Sequence, residues 1–226
     1  QQPGWTAALR REDVDLVGNV IVHTSDWRNA IRAGGDLNGR NQGRLRMVNN
    51  TILFTRPGPA TAVLVQLGQG SVEMHNNVIH QTTGGSAPEI LREHAASEVK
   101  APFCGPASRE PWSDGRKVAG SNNWVQASAR RVPAELEGTL RGADPMLEDP
   151  ARGRLRPVAA SPLVAAGDPS PAAPKGFPFP SPLAVPAFDP PQREKMAIGA
   201  EVRRAAGERI SVGAMEPRAG GAGGRR

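Results

Sequence analysis

The chain contains very little cysteine and few aromatic residues. Its 226 residues include one cysteine, Cys104, four tryptophans, five phenylalanines and no tyrosine. A single cysteine excludes an intrachain disulfide, and Cys104 has no histidine at a diagnostic spacing, so we interpret it as a bystander thiol rather than a nucleophile. Nucleic-acid binding is not expected, because aromatic and basic residues do not interleave and no known nucleic-acid-binding motif is present.

Long apolar runs are also missing from the sequence. No segment is long and apolar enough to predict a membrane-spanning helix or a secretory leader, so membrane insertion is not expected. The formal net charge of +6 is modest. A basic balance suits an acidic polysaccharide, an anionic membrane surface or nucleic acid, and the last of these is the least favoured here.

The most informative feature present is a repeat built on asparagine. Residues 17–22, 48–53 and 75–80 read Val-Gly-Asn-Val-Ile-Val, Val-Asn-Asn-Thr-Ile-Leu and His-Asn-Asn-Val-Ile-His, and residues 121–126 are a weaker copy. The third residues of the copies are separated by 31, 27 and 46 positions, which is typical of stacked repeats. These residues are Asn19, Asn50, Asn77 and Asn123. We expect each to tolerate the left-handed turn between two strands and its amide to bond to backbone or to the next asparagine.

Apolar and polar residues alternate before each asparagine. The apolar positions are Leu16, Met47 and Met74, and, two residues earlier, Val14, Leu45 and Val72. This period predicts strands with one buried face, stacked in parallel register. The intervening residues are Asp15, Arg46 and Glu73, which predict a surface ladder of alternating charge rather than a catalytic Arg46. A third strand in each coil is predicted near residues 30–33, 62–67 and 90–92.

Several segments carry a resemblance to a known superfamily. Residues 18–21, 29–35, 44–47 and 49–51, and in the tail residues 142–145, 154–157, 161–163 and 166–167, are similar to bacterial right-handed β-helix repeat proteins labelled as polysaccharide-degrading. Residues 198–201 or 212–216 resemble the closing Ile-Gly-Ala-x-Glu element of such proteins. The resemblance, to the pectate-lyase-like superfamily, implies an all-β fold, a right-handed parallel β-helix. A stack of coils needs a cap at each end, and residues 1–11 are too short and polar to form a good one. We therefore expect the chain to be the C-terminal part of a longer protein; the alternative is that Gln1 follows a cleaved leader.

The character of the chain changes near residue 131. Fifteen of the 22 prolines lie beyond this point, and proline removes ladder hydrogen-bond donors. We therefore expect coils over residues 1–130, a Pro/Ala-rich extension over residues 131–216 that packs on the outside of the helix, and a disordered Gly/Arg tail over residues 217–226. A disordered linker is the alternative for the extension.

The resemblance implies a carbohydrate-active protein, a polysaccharide lyase or a glycoside hydrolase that acts on acidic polysaccharide. In such lyases a basic residue removes a proton beside a uronate carboxylate, which an arginine or a calcium ion neutralises. Arg32, on the first strand of its coil, is the candidate catalytic residue. The candidate substrate-binding residues are polar or aromatic, and four of them precede Arg32 closely: His23, Asp26, Trp27 and Arg28. The fifth is Gln66, which falls near the position equivalent to Arg32 in the next coil.

The alternative is a non-catalytic β-helix, either a scaffold or a glycan-binding surface module, since one fold hosts many functions. No cofactor is evident, calcium is possible, and no metal pair is expected from His75 and His80, which are predicted at outward positions of successive strands without a shared face. The superfamily implies a secreted or periplasmic protein. Oligomeric state is left open.

Overall fold

The computed structural model describes residues 12–35, 43–83, 87–95, 110–191, 201–204 and 208–218. Within these ranges the fold is all-β and contains no α-helix, only a 3₁₀ turn at Pro150–Arg152. In chain order the strands are β1 (Val14–Val17), β2 (Val20–His23), β3 (Asn29–Ala33), β4 (Arg44–Val48), β5 (Thr51–Phe54), β6 (Thr61–Val65), β7 (Ser71–His75), β8 (Val78–Gln81), β9 (Glu89–Glu93), β10 (Val118–Ser121), β11 (Trp124–Gln126), β12 (Leu136–Glu137), β13 (Leu140–Gly142), β14 (Leu147–Asp149) and β15 (Arg154–Pro157).

The strands stack coil on coil into three parallel sheets. The first sheet has the order β1-β4-β7-β10-β12, the second β2-β5-β8-β11-β13 and the third β3-β6-β9. Met47 pairs with Leu16 on one side and with Met74 on the other, which confirms the register predicted from the repeat. The predicted all-β fold of stacked parallel strands is therefore confirmed, and it is consistent with a solenoid β-helix.

All three sheets contribute apolar side chains to one interior core. Alternation places successive side chains on opposite faces of a strand, so the residues in register form apolar columns along the stack. The first sheet provides Met47 and Met74, the second Ile52 and Ile79, and the third Val63, and each of these is fully buried. The three predicted third strands correspond to β3, β6 and β9.

Two neighbouring residues in each asparagine turn have different roles. The left-handed backbone lies at the residue before the third position of each copy, with φ of 52° at Asn49 and 53° at Asn76. The prediction placed this conformation at Asn50 and Asn77 and is wrong by one residue. Those two side chains instead form the predicted inner ladder, in which Asn50 Nδ2 donates to Asn77 Oδ1 over 2.9 Å.

The fourth copy departs from the pattern at Gly120, which occupies a position held by methionine or leucine in the other coils. Gly120 lies in register with Met74 of β7 and Leu136 of β12. A Cβ atom added at Gly120 would lie 1.8 Å from the Met74 carbonyl oxygen. Backbone approach at this position therefore excludes any side chain, and this explains the exception.

Residues beyond the coils contact the outer face of the second sheet. Leu155, Ala214 and Met215 cluster with Leu53, whereas Leu163 and Val212 cluster with Val78 and Trp124. The outward asparagines bond to the same region, since Asn49 Nδ2 donates to Ser211 O and Asn76 Nδ2 donates to Asp168 O. Val212–Glu216, one of the two candidate closing elements, thus belongs to this cover.

The predicted surface location of Arg46 is wrong. Its register between Asp15 and Glu73 is as expected, but the side chain is only 1% exposed. Arg46 pairs with Asp15, donates to the carbonyl oxygens of Ser181 and Pro182, and lies 4.3 Å from the Phe179 ring centroid. Contacts from residues more than a hundred positions away bury it.

Some predictions fall on residues that the structure does not describe. These are Cys104, the chain before residue 12, the first three residues of the candidate element at 198–201, and most of the Gly/Arg tail, residues 219–226. In the described part of the chain, no helix has the length and apolar character needed to cross a membrane.

Candidate functional site

The loop before β3 and the outward side of β3 present a tryptophan and an arginine to solvent. Trp27 precedes β3 and its side chain is 68% exposed. Arg32, on the outward side of β3, places its guanidinium carbon 5.8 Å from the Trp27 ring centroid. Within the described ranges Arg32 makes no ion pair, so its guanidinium is available to a ligand.

Beside this pair, three arginines surround one buried carboxylate. Glu89 is 4% exposed at its side chain, and its oxygens lie 3.0 Å from Arg28 Nη2, 3.2 Å from Arg131 Nε and 3.6 Å from Arg130 Nη2. Thr61 donates its hydroxyl to the same carboxylate. A single carboxylate cannot neutralise three guanidinium groups, so the cluster keeps an excess of positive charge at the surface.

Parallel register produces this cluster. The first residue of β3, Asn29, pairs with Thr61, and Thr61 pairs with Glu89. An isolated parallel bridge then joins Glu89 to Arg130 of the next coil. Residues far apart in sequence therefore lie in one row at the start of the third sheet, with Arg28 one position before it.

The remaining predicted binding residues do not join this cluster. Asp26 forms an exposed ion pair with Arg56 over 2.8 Å. His23 packs against Phe54, with ring centroids 5.3 Å apart. Gln66 is buried just beyond β6, and the residue beside Arg32 one coil on is Leu64 rather than Gln66. The structure thus brings Trp27, Arg28 and Arg32 to one region.

Sequence reasoning missed Glu89, Arg130 and Arg131 as members of the cluster. Glu89 stands one residue before the third strand predicted at 90–92, so its place at the start of the third sheet could have been predicted from the repeat. Arg130 and Arg131 follow the irregular third interval of 46 residues, so periodicity could not align them with Glu89.

A second polar arrangement was also missed, on the outer face of the first sheet. His75 Nδ1 lies 3.0 Å from Ser121 Oγ, and His75 Nε2 lies 2.9 Å from Glu73 Oε1. Ser121 and His75 are register partners in β10 and β7. The repeat could have predicted this pair, because His75 stands two positions before Asn77 and Ser121 stands two positions before Asn123.

His80 lies apart from His75, on the other strand of the same coil. It contacts Trp124 edge-on, with ring centroids 6.0 Å apart. Burial lowers the pKa of His80, and the negative charge of Asp144 partly opposes this shift. No cluster of three or more His, Cys, Asp or Glu side chains suited to a metal ion occurs in the described part of the chain, and a role for calcium stays a prediction.

Comparisons with known proteins identify no relative of this chain. The chain matches no protein-family model, no curated protein and no solved structure. The site is therefore defined by the geometry of its own residues.

Proposed function

We propose that this chain is a carbohydrate-active protein that binds acidic polysaccharide along the start of its third sheet. The observation that carries the proposal is the convergence of Arg28, Arg130 and Arg131 on Glu89, next to the exposed pair of Trp27 and Arg32. We call these six residues the arginine cluster. It combines excess positive charge with an exposed aromatic ring.

Each part of the arginine cluster suits one part of a uronate sugar. A planar guanidinium presents a fork of donors that matches a carboxylate, and each guanidinium has five N–H groups. Arg28 and Arg131 each donate one N–H group to Glu89. An exposed indole offers a flat apolar surface to the face of a sugar ring. The arrangement thus favours a negatively charged glycan over a neutral one.

The proposal includes the finer fold assignment. We propose a right-handed parallel β-helix of the pectate-lyase-like superfamily with the Pro-rich extension along its outside, in a secreted or periplasmic protein. The superfamily part is supported by the sequence resemblance and the parallel stack. The contacts of Phe179, Ser181 and Pro182 with Arg46 support the position of the extension.

Calorimetric titration tests the binding proposal. Oligogalacturonate should bind, and a neutral glucan oligomer of the same length should not. Arg32→Ala should weaken binding about 10-fold or more, since a hydrogen bond to a charged group contributes roughly 1.5–3 kcal/mol. Trp27→Ala should also weaken binding, because the flat apolar surface for the sugar ring is lost. Arg152→Ala is the matched control, because Arg152 is an exposed arginine of the 3₁₀ turn outside the arginine cluster.

Equal affinity for the two oligomers would contradict the proposal, and so would an equal loss of affinity in Arg152→Ala. Titration at increasing salt gives an independent measurement. Binding that depends on several arginines should weaken as salt rises, because ions screen exposed charges.

A lyase reaction at Arg32 is the second candidate. It is favoured by one observation, the exposed side chain of Arg32, which makes no ion pair within the described ranges. Ultraviolet absorbance of the unsaturated product, followed with and without calcium, should rise for the unaltered chain and not for Arg32→Ala. Binding without product formation would assign the chain to the glycan-binding surface modules.

A further inference from the structure

Ser121, His75 and Glu73 form a continuous hydrogen-bonded chain on the outer face of the first sheet. The distances of 3.0 Å from Ser121 Oγ to His75 Nδ1 and 2.9 Å from His75 Nε2 to Glu73 Oε1 lie within the range for proton transfer. Glu73 and His75 stand two residues apart on β7, so both point to the same side of the strand.

The chemistry of the carboxylate determines where the proton of the neutral imidazole lies. An ionised carboxylate only accepts hydrogen bonds, so His75 Nε2 carries the hydrogen that it donates to Glu73. His75 Nδ1 then presents its lone pair to Ser121, whose hydroxyl donates to it. This is the arrangement of a nucleophile, a general base and a group that orients the base, with the two ring nitrogens exchanged relative to the usual serine hydrolase pattern.

The three hydrogen-bonded side chains differ in solvent exposure in the way that this chemistry requires. The side chains of His75 and Glu73 are each 2% exposed, whereas Ser121 is partly exposed at the end of β10. Among the described residues, His75 is the one side chain that hydrogen-bonds to Glu73. The base is therefore shielded from water and held in one orientation, while Ser121 keeps part of its surface in contact with solvent.

We propose that Ser121 is the nucleophile of an acyl-transfer site whose substrate is an ester of a small acyl group, such as an O-acetyl group. Ser121 Oγ attacks the ester carbonyl carbon as His75 Nδ1 takes the hydroxyl proton. The carbon–oxygen bond to the alcohol breaks, and the alcohol leaves with the proton from His75. Water, deprotonated by His75, then releases the carboxylic acid and restores the Ser121 hydroxyl.

This inference is independent of polysaccharide binding by the arginine cluster. The two sites lie on different sheets, since Ser121 and His75 belong to the first sheet and Glu89 belongs to the third. Loss of one function in a variant therefore does not remove the other.

The test uses a small alkyl fluorophosphonate, which modifies activated serine hydroxyls. Peptide mass mapping of the full chain should place the adduct on Ser121. Ser121→Ala should abolish it, and His75→Gln should slow it about 10²–10⁴-fold, the range that general base catalysis contributes. Hydrolysis of p-nitrophenyl acetate, measured in parallel, should fall in the same variants.

Ser181→Ala is the matched control, because Ser181 contacts Arg46 of the same sheet without a histidine partner among the described residues. It should be modified at Ser121 as fast as the unaltered chain. Ser121→Ala keeps both buried partners in place, so it remains informative if His75→Gln disrupts β7, which circular dichroism detects. An adduct elsewhere, or none, would overturn the proposal and leave the three residues with a structural hydrogen-bond role only.

Discussion

Asn77 shows how much a single amide contributes to this fold. Its side chain is fully buried, and its Oδ1 accepts from both the backbone N and the Nδ2 of Asn50. Its Nδ2 donates to Met47 O and to Asn123 Oδ1. One side chain thus joins three consecutive coils, and every one of its polar atoms has a partner.

Replacement of Asn77 by alanine should therefore destabilise the protein strongly. It leaves buried donors and acceptors of two coils without partners, and each unsatisfied group costs about 1–3 kcal/mol. We expect the free energy of unfolding to fall by roughly 3 kcal/mol or more, as measured by urea denaturation. Asn19→Ala is the control, because Asn19 is exposed and should cost less than about 1 kcal/mol. Similar losses in both variants would show that burial of the ladder is not what stabilises the stack.

At the scale of strands, the sequence predicts register well wherever the repeat is regular. Period-2 alternation and a fixed distance to the asparagine determine which residues pair, so β1, β4 and β7 could be aligned in advance. The sequence predicts an extension that packs on the outside of the helix, but not which residues it contacts, because contacts such as Arg46 with Ser181 span 135 residues and follow no period. For the same reason only part of the arginine cluster, Trp27, Arg28 and Arg32, was evident from the sequence.

Gly120 tests the strand register directly. Gly120→Ala would place a methyl group against the Met74 carbonyl oxygen, a fixed backbone atom, and β10 would have to move away from β7. Strain of this kind costs about 1–3 kcal/mol. We expect a lower melting temperature by differential scanning calorimetry. Gly176→Ala, where an added Cβ meets nothing within 4 Å, should melt with the unaltered chain. Unchanged melting of Gly120→Ala would contradict the paired geometry of β7 and β10.

At the scale of the whole molecule, among the described residues the chain that follows the coils covers the apolar outer face of the second sheet. Leu53 and Val78 are fully buried because Met215, Ala214 and Val212 lie on them. The backbone of this cover is also held, since Ala214 N donates to Thr51 Oγ1 and Gly213 N to Asn76 O. The same segment thus packs on the apolar face of the second sheet and hydrogen-bonds to residues at the asparagine turns.

Removal of residues 208–226 should expose this face. We expect increased fluorescence of the apolar dye ANS and self-association in sedimentation velocity, since large exposed apolar patches promote association. Removal of residues 219–226 alone is the control and should leave both measurements unchanged. A shortened chain that stays monomeric and binds no dye would show that the second sheet does not depend on this cover.

The inner asparagine ladder has a polarity that bears on how such a chain can grow. Asn50 and Asn77 each accept at Oδ1 from the asparagine of the coil before and donate Nδ2 to the asparagine of the coil after, so the bonds run in one direction from Asn19 to Asn123. Every interior coil thus presents the same acceptor on one side and the same donor on the other. Tandem duplication of one interior coil in the gene would insert a unit whose polar groups already match both neighbours, so the stack can lengthen by whole coils without new partners having to evolve.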